Sequence, residues 1–268
     1  VASISARAIS GIPEVRAGDD LAELILAARD SRSLGEGQVV AVAHTAVSKA
    51  EGAVVALGDV IPGLRARELA AELAAGAGED RDARAIQVVL DESAEVLRAE
   101  RGVLICRTRH GLVCANAGVD VSNSSAPDTV ILLPRDADAS ARRIRARLRE
   151  LGGAAGAVGR GGDGAAPAVL ISDSFGRAWR HGQSDVAIGL AGMAPLDDWR
   201  GRTDASGVKL RATWLAVADA AAAAADLARM KDSREPVVII DGLERFVTAE
   251  DGPGAAALVR PLEEDLFR

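Results

Sequence analysis

The chain has 268 residues and a formal net charge of −7, from 32 Lys+Arg against 39 Asp+Glu. Hydrophobic residues make up 49% and aromatics 2%, with three Phe, three Trp and no Tyr, so a core must be built from Ala, Val, Leu and Ile. An acidic chain with dispersed arginines is no general nucleic-acid binder, and so few rings make no base-stacking platform.

This length suits one large domain or two small ones and buries enough surface to need no disulfides. Cys106 and Cys114 are too few for a metal cluster or a disulfide framework, so a reducing cytoplasm is the expected setting. No signal-peptide pattern opens the sequence. Its most apolar tract, residues 216–228, contains Asp219 and Asp226 and is too short to span a bilayer. Arginine in place of lysine, with abundant Ala and Gly, reads as coding bias. That leaves the three lysines, Lys49, Lys209 and Lys231, as the informative basic residues.

In chain order, Asp19 or Asp20 caps a first predicted helix whose apolar positions Leu21, Leu24, Ile25 and Ala28 recur at helical spacing. Residues 38–43 form a short apolar strand leading into the polar run 44–49, and 54–57 reads as another strand. Two helices follow, over 65–75 and about 80–99, the second carried by Ile86, Val89, Leu90, Ala94 and Leu97. Residues 103–107 and 112–115 are predicted strands joined by a turn at His110-Gly111. A strand over 129–133 and an Arg-rich amphipathic helix over 138–151 come next, then a low-complexity loop over 152–166. Strands over 168–172 and 185–190, an Ala-rich helix over 217–230 and a buried strand over 236–241 complete the order. Helices and strands interleave without steady alternation, which predicts an α+β fold of mixed, largely antiparallel sheets with packed helices.

The polar segments between these elements carry the chemistry. Gly159, Gly161 and Gly164 match G-x-G-x-x-G, but a strand follows them where a nucleotide site needs a helix, so they read as loop. No P-loop pattern occurs. The run from His44 to Gly52 concentrates an imidazole, hydroxyls and Lys49 just after a strand, and reads either as a phosphate-binding element or as a solvated turn. Asp120 and Asn123, with Gly118 and Ser122, offer oxygens either to a hard cation or to an Asx-type turn. Residues 172–183 place Asp173, Ser174, Arg177, Arg180 and His181 around Phe175 and Trp179. Asp173 and Asp120 together could hold a metal, the arginines an anion, and His181 reads as a surface turn residue. The run 197–204 reads as a solvated loop, and the two cysteines as buried reduced thiols.

Five stretches in order resemble one family, the coenzyme F420-0:L-glutamate ligases, also called F420-0 gamma-glutamyl ligases. They are GIPEVRAGDDLA at 11–22, AHTAVSKAEG at 43–52, GLVCANAGVDVSN at 111–123, LISDSFGRAWRHGQSDVAIGLAG at 170–192 and VADAAAAAADLARMKDSREPVVI at 217–239. The resemblance implies the family's fold, either as one ligase domain over 1–268 or as two intertwined subdomains. It implies that GTP phosphorylates the terminal carboxylate of F420-0, a deazaflavin, and that the amine of L-glutamate attacks the acyl phosphate, with γ-linked extension in some members. Cations must neutralise the anions that this chemistry brings together.

By the same resemblance, Ile12, Pro13, Glu14 and Val15 form a nucleotide-contacting turn, and His44, Lys49 and Asn123 hold nucleotide-binding positions. Lys49 is the candidate for the phosphates. Arg229, Met230, Lys231, Asp232 and Ser233 belong to the nucleotide segment before the last strand. Asp120, Asp173 and Ser174 resemble ligands of a two-metal Mg²⁺ or Mn²⁺ site, with K⁺ as a further candidate ion. Arg177, Trp179, Arg180 and Gln183 are placed near substrate. The general base for the amine stays open among His44, Glu51, Asp173 and His181.

Two departures from the family stand out. Met230 replaces a usual glycine, so it alters the space where backbone approaches the nucleotide. Lys231 falls where some relatives place an acidic ligand and others a lysine; it removes a negative ligand, its charge can stand in for a cation's, and Asp232 can restore a ligand. The loop at 152–166 is longer than usual. Some relatives carry a C-terminal nitroreductase-like domain, whereas this chain stops at Arg268, so a single-domain version or a cut piece is expected. A cytoplasmic homodimer binding F420-0, L-glutamate and GTP, without nucleic acid or membrane, is implied. The alternatives are a related ligase with another acid or amine, and a non-catalytic nucleotide- or deazaflavin-binding paralogue.

Overall fold

The computed structural model describes residues 3–28, 34–35, 37–77, 80–121, 127–155 and 166–265. In chain order the elements are β1 (Ser5–Ala8), α1 (Leu21–Ala28), β2 (Val39–Ala43), α2 (His44–Ala50), β3 (Val54–Ala56), α3 (Leu64–Ala77), α4 (Ala83–Glu92), β4 (Ser93–Glu100), β5 (Val103–Thr108), β6 (Val113–Ala115), β7 (Thr129–Ile131), α5 (Ala137–Ala155), β8 (Ala168–Arg177), β9 (Arg180–Ala191), β10 (Leu196–Asp198), β11 (Trp214–Ala216), α6 (Val217–Ala228) and β12 (Val237–Asp241). Asp20 caps α1 as expected, its Oδ1 accepting from Ala22 N at 3.0 Å and Glu23 N at 3.2 Å.

The apolar strands meet in one five-stranded sheet, ordered β1-β12-β2-β8-β9. Its neighbours are antiparallel except β2 and β8, which run parallel. The two-residue period of a strand sorts its side chains between two faces. Val40, Val42, Val169, Ile171, Val237 and Ile239 pack with Leu21, Ile25, Val47 and Leu148 from α1, α2 and α5. Val39, Ala41, Leu170, Val238 and Ile240 pack on the other face with Val217, Ala218, Ala221 and Ala225 of α6. The sheet is therefore the middle of three layers. Each fully buried Val, Leu or Ile contributes roughly 1.5–3 kcal/mol relative to exposure. At one point only glycine fits: a Cβ on Gly189 of β9 would lie 2.4 Å from Ala137 O at the start of α5.

A second cluster lies around a three-stranded sheet, β4-β5-β6, with α3 and α4. Cys106 and Cys114 face each other across β5 and β6, both buried and free. Smaller pairs join β3 to β7 and β10 to β11. The arrangement is the α+β architecture expected, with mixed, largely antiparallel sheets. Among the described residues no helix is long and apolar enough to cross a membrane.

Several boundaries differ from expectation. Residues 80–99 are not one helix, because α4 ends at Glu92 and the chain continues as β4 against β5. Ser93 Oγ bonds back to Val89 O at 2.6 Å and its backbone turns extended, so Val96 and Ala99 join the second cluster from a strand. Local periodicity does not separate these two outcomes. The run 44–49 is helical, neither loop nor turn. The strand expected over 168–172 runs on to Arg177 and pairs with β9 from Arg180, which also begins before the expected 185. Run 197–204 begins as a strand, β10, in a hairpin arm with β11. Residues 152–155 continue α5, and 156–165, with the glycine pattern, lie outside the described residues.

Candidate active site

One end of the central sheet collects the polar segments. Ala43 and Ser172 are partners in the parallel pair β2–β8, so α2 and Asp173 start side by side. β12 enters at this end, with Val237 opposite Val42 and Ala43 N donating to Pro236 O at 2.8 Å. The turn at 229–235 therefore lies there too. β1 finishes beside it, Ile9 N donating to Val237 O at 2.9 Å, and leads into residues 10–15. Ligands gather outside the carboxyl ends of parallel strands, because helix starts and loops converge there.

His44 is the first residue of α2 and is buried. Its Nε2 lies 3.2 Å from Asp173 Oδ1, which also accepts from Ser174 N at 2.7 Å. His44 Nδ1 and Ser48 Oγ are buried without a hydrogen-bond partner among the described residues. Cys114 is close enough to feel the same carboxylate: burial first, then the charge of Asp173, pushes its thiol up to about 12.

Asp185 is the hub that sequence reasoning missed. It faces Ser174 across the β8–β9 hairpin and is 1% exposed. Burial pushes its pKa up, but hydrogen bonds from Ser174 and Ser172 and the charges of Arg229 and Lys231 outweigh this, and it lies below the ordinary carboxylate value. Ser174 Oγ donates to its Oδ1 at 2.6 Å and Ser172 Oγ to its Oδ2 at 2.8 Å. Arg229 Nη2 donates to Asp185 Oδ2 and to Ser172 Oγ, the latter at 2.9 Å. Lys231 Nζ donates to Ser174 Oγ at 3.0 Å and to Asp226 Oδ1 at 2.7 Å. The available signal was a lone acid directly ahead of the apolar run 186–190, and an acid breaking the alanine run of α6.

Lys49 Nζ lies 2.6 Å from Glu14 Oε1, which ties α2 to the 10–15 segment. Val15 is buried and Ile12 packs against the core, while Pro13 is exposed. Met230 is 72% exposed, so its side chain fills no internal space, and Asp232 is exposed beside it. Ser233 Oγ donates to Met230 O at 2.9 Å.

The outer hairpin candidates and Glu51 are not gathered at the His44–Asp173 pair. Arg177, Trp179, Arg180 and Gln183 are exposed at the outer part of the hairpin. Arg177 is four strand residues beyond Asp173, roughly 13 Å, and its Nη2 donates to His181 O at 2.5 Å. Glu51 caps the opposite end of α2, where it accepts from Ser140 Oγ and Arg143. Asp120 exchanges backbone hydrogen bonds with Ile131, at 2.9 and 2.8 Å. Asn123 lies outside the described residues.

Hard oxygens at this end suit one divalent ion. Asp173 Oδ1 accepts from Ser174 N and lies 3.2 Å from His44 Nε2. β6 packs against β8 and so carries the segment leading to Asp120 toward it. Among the described residues no three His, Cys, Asp or Glu converge as a metal cluster. A second ion does not fit the residues as placed, because Ser174 Oγ is already shared between Asp185 and Lys231.

A covered mixed sheet with basic and acidic side chains gathered at the end of its parallel pair defines an α+β protein with a charged candidate site at that end. Residues 11–242 match the family described as F420-0:Gamma-glutamyl ligase. The chain is 42% identical over 257 residues to the Coenzyme F420:L-glutamate ligase of Methanopyrus kandleri, covering 95% of this chain and 94% of the relative. It is 39% identical over 268 residues to the protein of the same name from Methanothermobacter thermautotrophicus, covering 99% of each. A third, from Halobacterium salinarum, is 42% identical over 254 residues, with 91% and 92% covered. The chain belongs to the F420-0:gamma-glutamyl ligase family.

Proposed function

We propose that this chain joins L-glutamate to coenzyme F420-0, using GTP to activate the acid. A carboxylate oxygen of F420-0 attacks the γ-phosphorus, GDP leaves, and an acyl phosphate forms. The glutamate amine attacks the acyl carbon, phosphate leaves, and the amine gives up a proton. The observation that carries this reading is the meeting of the His44–Asp173 pair and the Arg229–Lys231 turn at one sheet end, with Lys49 on the helix that starts there. Two anions must approach there, and fixed positive groups lower that barrier.

Lys49 would exchange Glu14 for a phosphate oxygen, as a compact charge does readily. His44 orients Asp173. A Mg²⁺ or Mn²⁺ held by Asp173 and Asp120 would supply charge neutralisation at the phosphates. A homodimer accords with exposed apolar residues Trp214, Leu215 and Leu227, and a reducing cytoplasm with the buried free thiols. The test is direct: purified chain with F420-0, L-glutamate, GTP and Mn²⁺, followed by mass spectrometry. Glutamylated deazaflavin and GDP are expected, and their absence refutes the assignment.

A further inference from the structure

The Lys231 ammonium occupies a place built of oxygens. Ser174 Oγ lies 3.0 Å away, Asp226 Oδ1 2.7 Å and Asp185 Oδ1 3.8 Å. These oxygens come from β8, α6 and β9, three elements that reach the same sheet end separately. Asp185 gives its other oxygen to Arg229 and Ser172, so the Oδ1 edge alone turns toward Lys231 and Ser174. Two carboxylates and a hydroxyl form the kind of set a hard cation selects.

We propose that Lys231 is a tethered replacement for a metal ion: its ammonium fills the cation position beside Ser174 and limits the chain to one divalent ion, at the Asp173 end. This rests on the metal-facing role given to Asp173 above, and it departs from the two-ion expectation raised by the sequence. The charges explain the substitution. Asp185 and Asp226 are already matched by Arg229 and Lys231. A divalent ion at Ser174 Oγ would meet the ammonium at close range, and repulsion beside a buried carboxylate is weakly screened. The Lys231 side chain is 69% exposed, so oxygens rather than packing hold its head in place. Removing the ammonium leaves those oxygens with an uncompensated negative charge and room for an ion.

The test counts Mn²⁺ bound to the full nucleotide-free chain, from the paramagnetic resonance signal of free aqueous Mn²⁺. Lys231→Gln should bind one more Mn²⁺ per chain than the wild type, in a step at least roughly tenfold tighter than any the wild type shows there. Lys231→Arg should keep the wild-type count. Adding Asp226→Asn to Lys231→Gln should remove the extra ion. Equal counts in wild type and Lys231→Gln overturn the proposal, and so does an extra ion that survives Asp226→Asn. The exposed side chain makes unfolding an unexpected outcome, and a thermal melt of each variant checks it. The count is independent of turnover. An extra ion in Lys231→Gln beside a wild type that makes no glutamylated product refutes the ligase assignment and leaves the role of Lys231 standing; wild-type product with no extra ion in the variant does the reverse.

Discussion

Lys49 and Glu14 hold one another between α2 and the 10–15 segment, Nζ to Oε1 at 2.6 Å, with the lysine mostly buried and the carboxylate half exposed. A carboxylate thus keeps the place that a phosphate is proposed to take. Lys49→Ala should weaken GDP or GTP binding by about 1.5–3 kcal/mol, the worth of a hydrogen bond to a charged group. Glu14→Gln should tighten it severalfold, because the competing anion is gone. Lys49→Arg should recover only part, since a planar fork replaces a point charge. Calorimetric titration reads all three, and an unchanged Lys49→Ala affinity removes Lys49 from the phosphate.

Asp120→Asn and Asp173→Asn should each lower turnover by roughly 10²–10³, the usual cost of losing one transition-state charge stabiliser. Circular dichroism should show the fold retained. Asp173→Asn also weakens the contact with His44 Nε2, so it should be the more damaging of the two. Turnover within a few-fold of wild type in both would leave these carboxylates without a catalytic part.

Asp185 predicts an acid-sensitive stability. Its pKa is lower in the folded chain than in the unfolded one. Its contribution is therefore complete above the ordinary carboxylate value of about 3.9 and fades as pH falls through the lower folded value. Urea midpoints measured from neutral pH downward should drop through this acid range, and drop less in Asp185→Asn. At neutral pH that variant should lose about 3–5 kcal/mol, because Arg229 keeps a mostly buried charge without its partner. A variant as stable as wild type would show that Arg229 finds another anion.

The two thiols should be inert. Burial raises both, Cys114 to about 12, so neither forms thiolate near neutrality. Iodoacetamide at mildly alkaline pH should label neither Cys106 nor Cys114 until urea unfolds the chain, as peptide mass spectrometry would show. Rapid labelling of the native chain would mean that the β5–β6 hairpin opens.

Gly118 offers a packing test. Its φ is 72° and a Cβ there would lie 2.7 Å from the Leu133 side chain. Gly118→Ala adds strain of about 1–3 kcal/mol at a left-handed position and pushes on Leu133. A lowered melting temperature is expected, and an unchanged one would show that Leu133 gives way freely.

Elements whose partners are uniform in character were legible in the sequence. β2 and β12 are apolar on both faces, so their strands show as unbroken runs, and α5 shows its amphipathic period. The His110-Gly111 turn predicted the β5–β6 hairpin. Where a distant partner decides, local pattern failed. Ser93–Glu100 keeps an apolar spacing that serves helix or strand, and β5 settles it. Ser174 fell outside the expected strand because its partner, Asp185, is polar and hidden across the hairpin. The site residues came from family motifs, but sequence does not tell which motifs share a sheet end. It grouped Arg177 to Gln183 with Asp173, and the extended hairpin carries them outward.

The pairing of β2 with β8 has a kinetic side. These two strands meet only after the whole stretch from Ala43 to Ala168 has travelled through the second cluster and come back. Closing so long a loop is slow, and contacts of such separation form late. The His44–Asp173 contact depends on that closure, so a chain whose loop is still open has no site, whatever helices and hairpins it holds. Recovered activity after dilution from denaturant would then mark the end of folding rather than its progress.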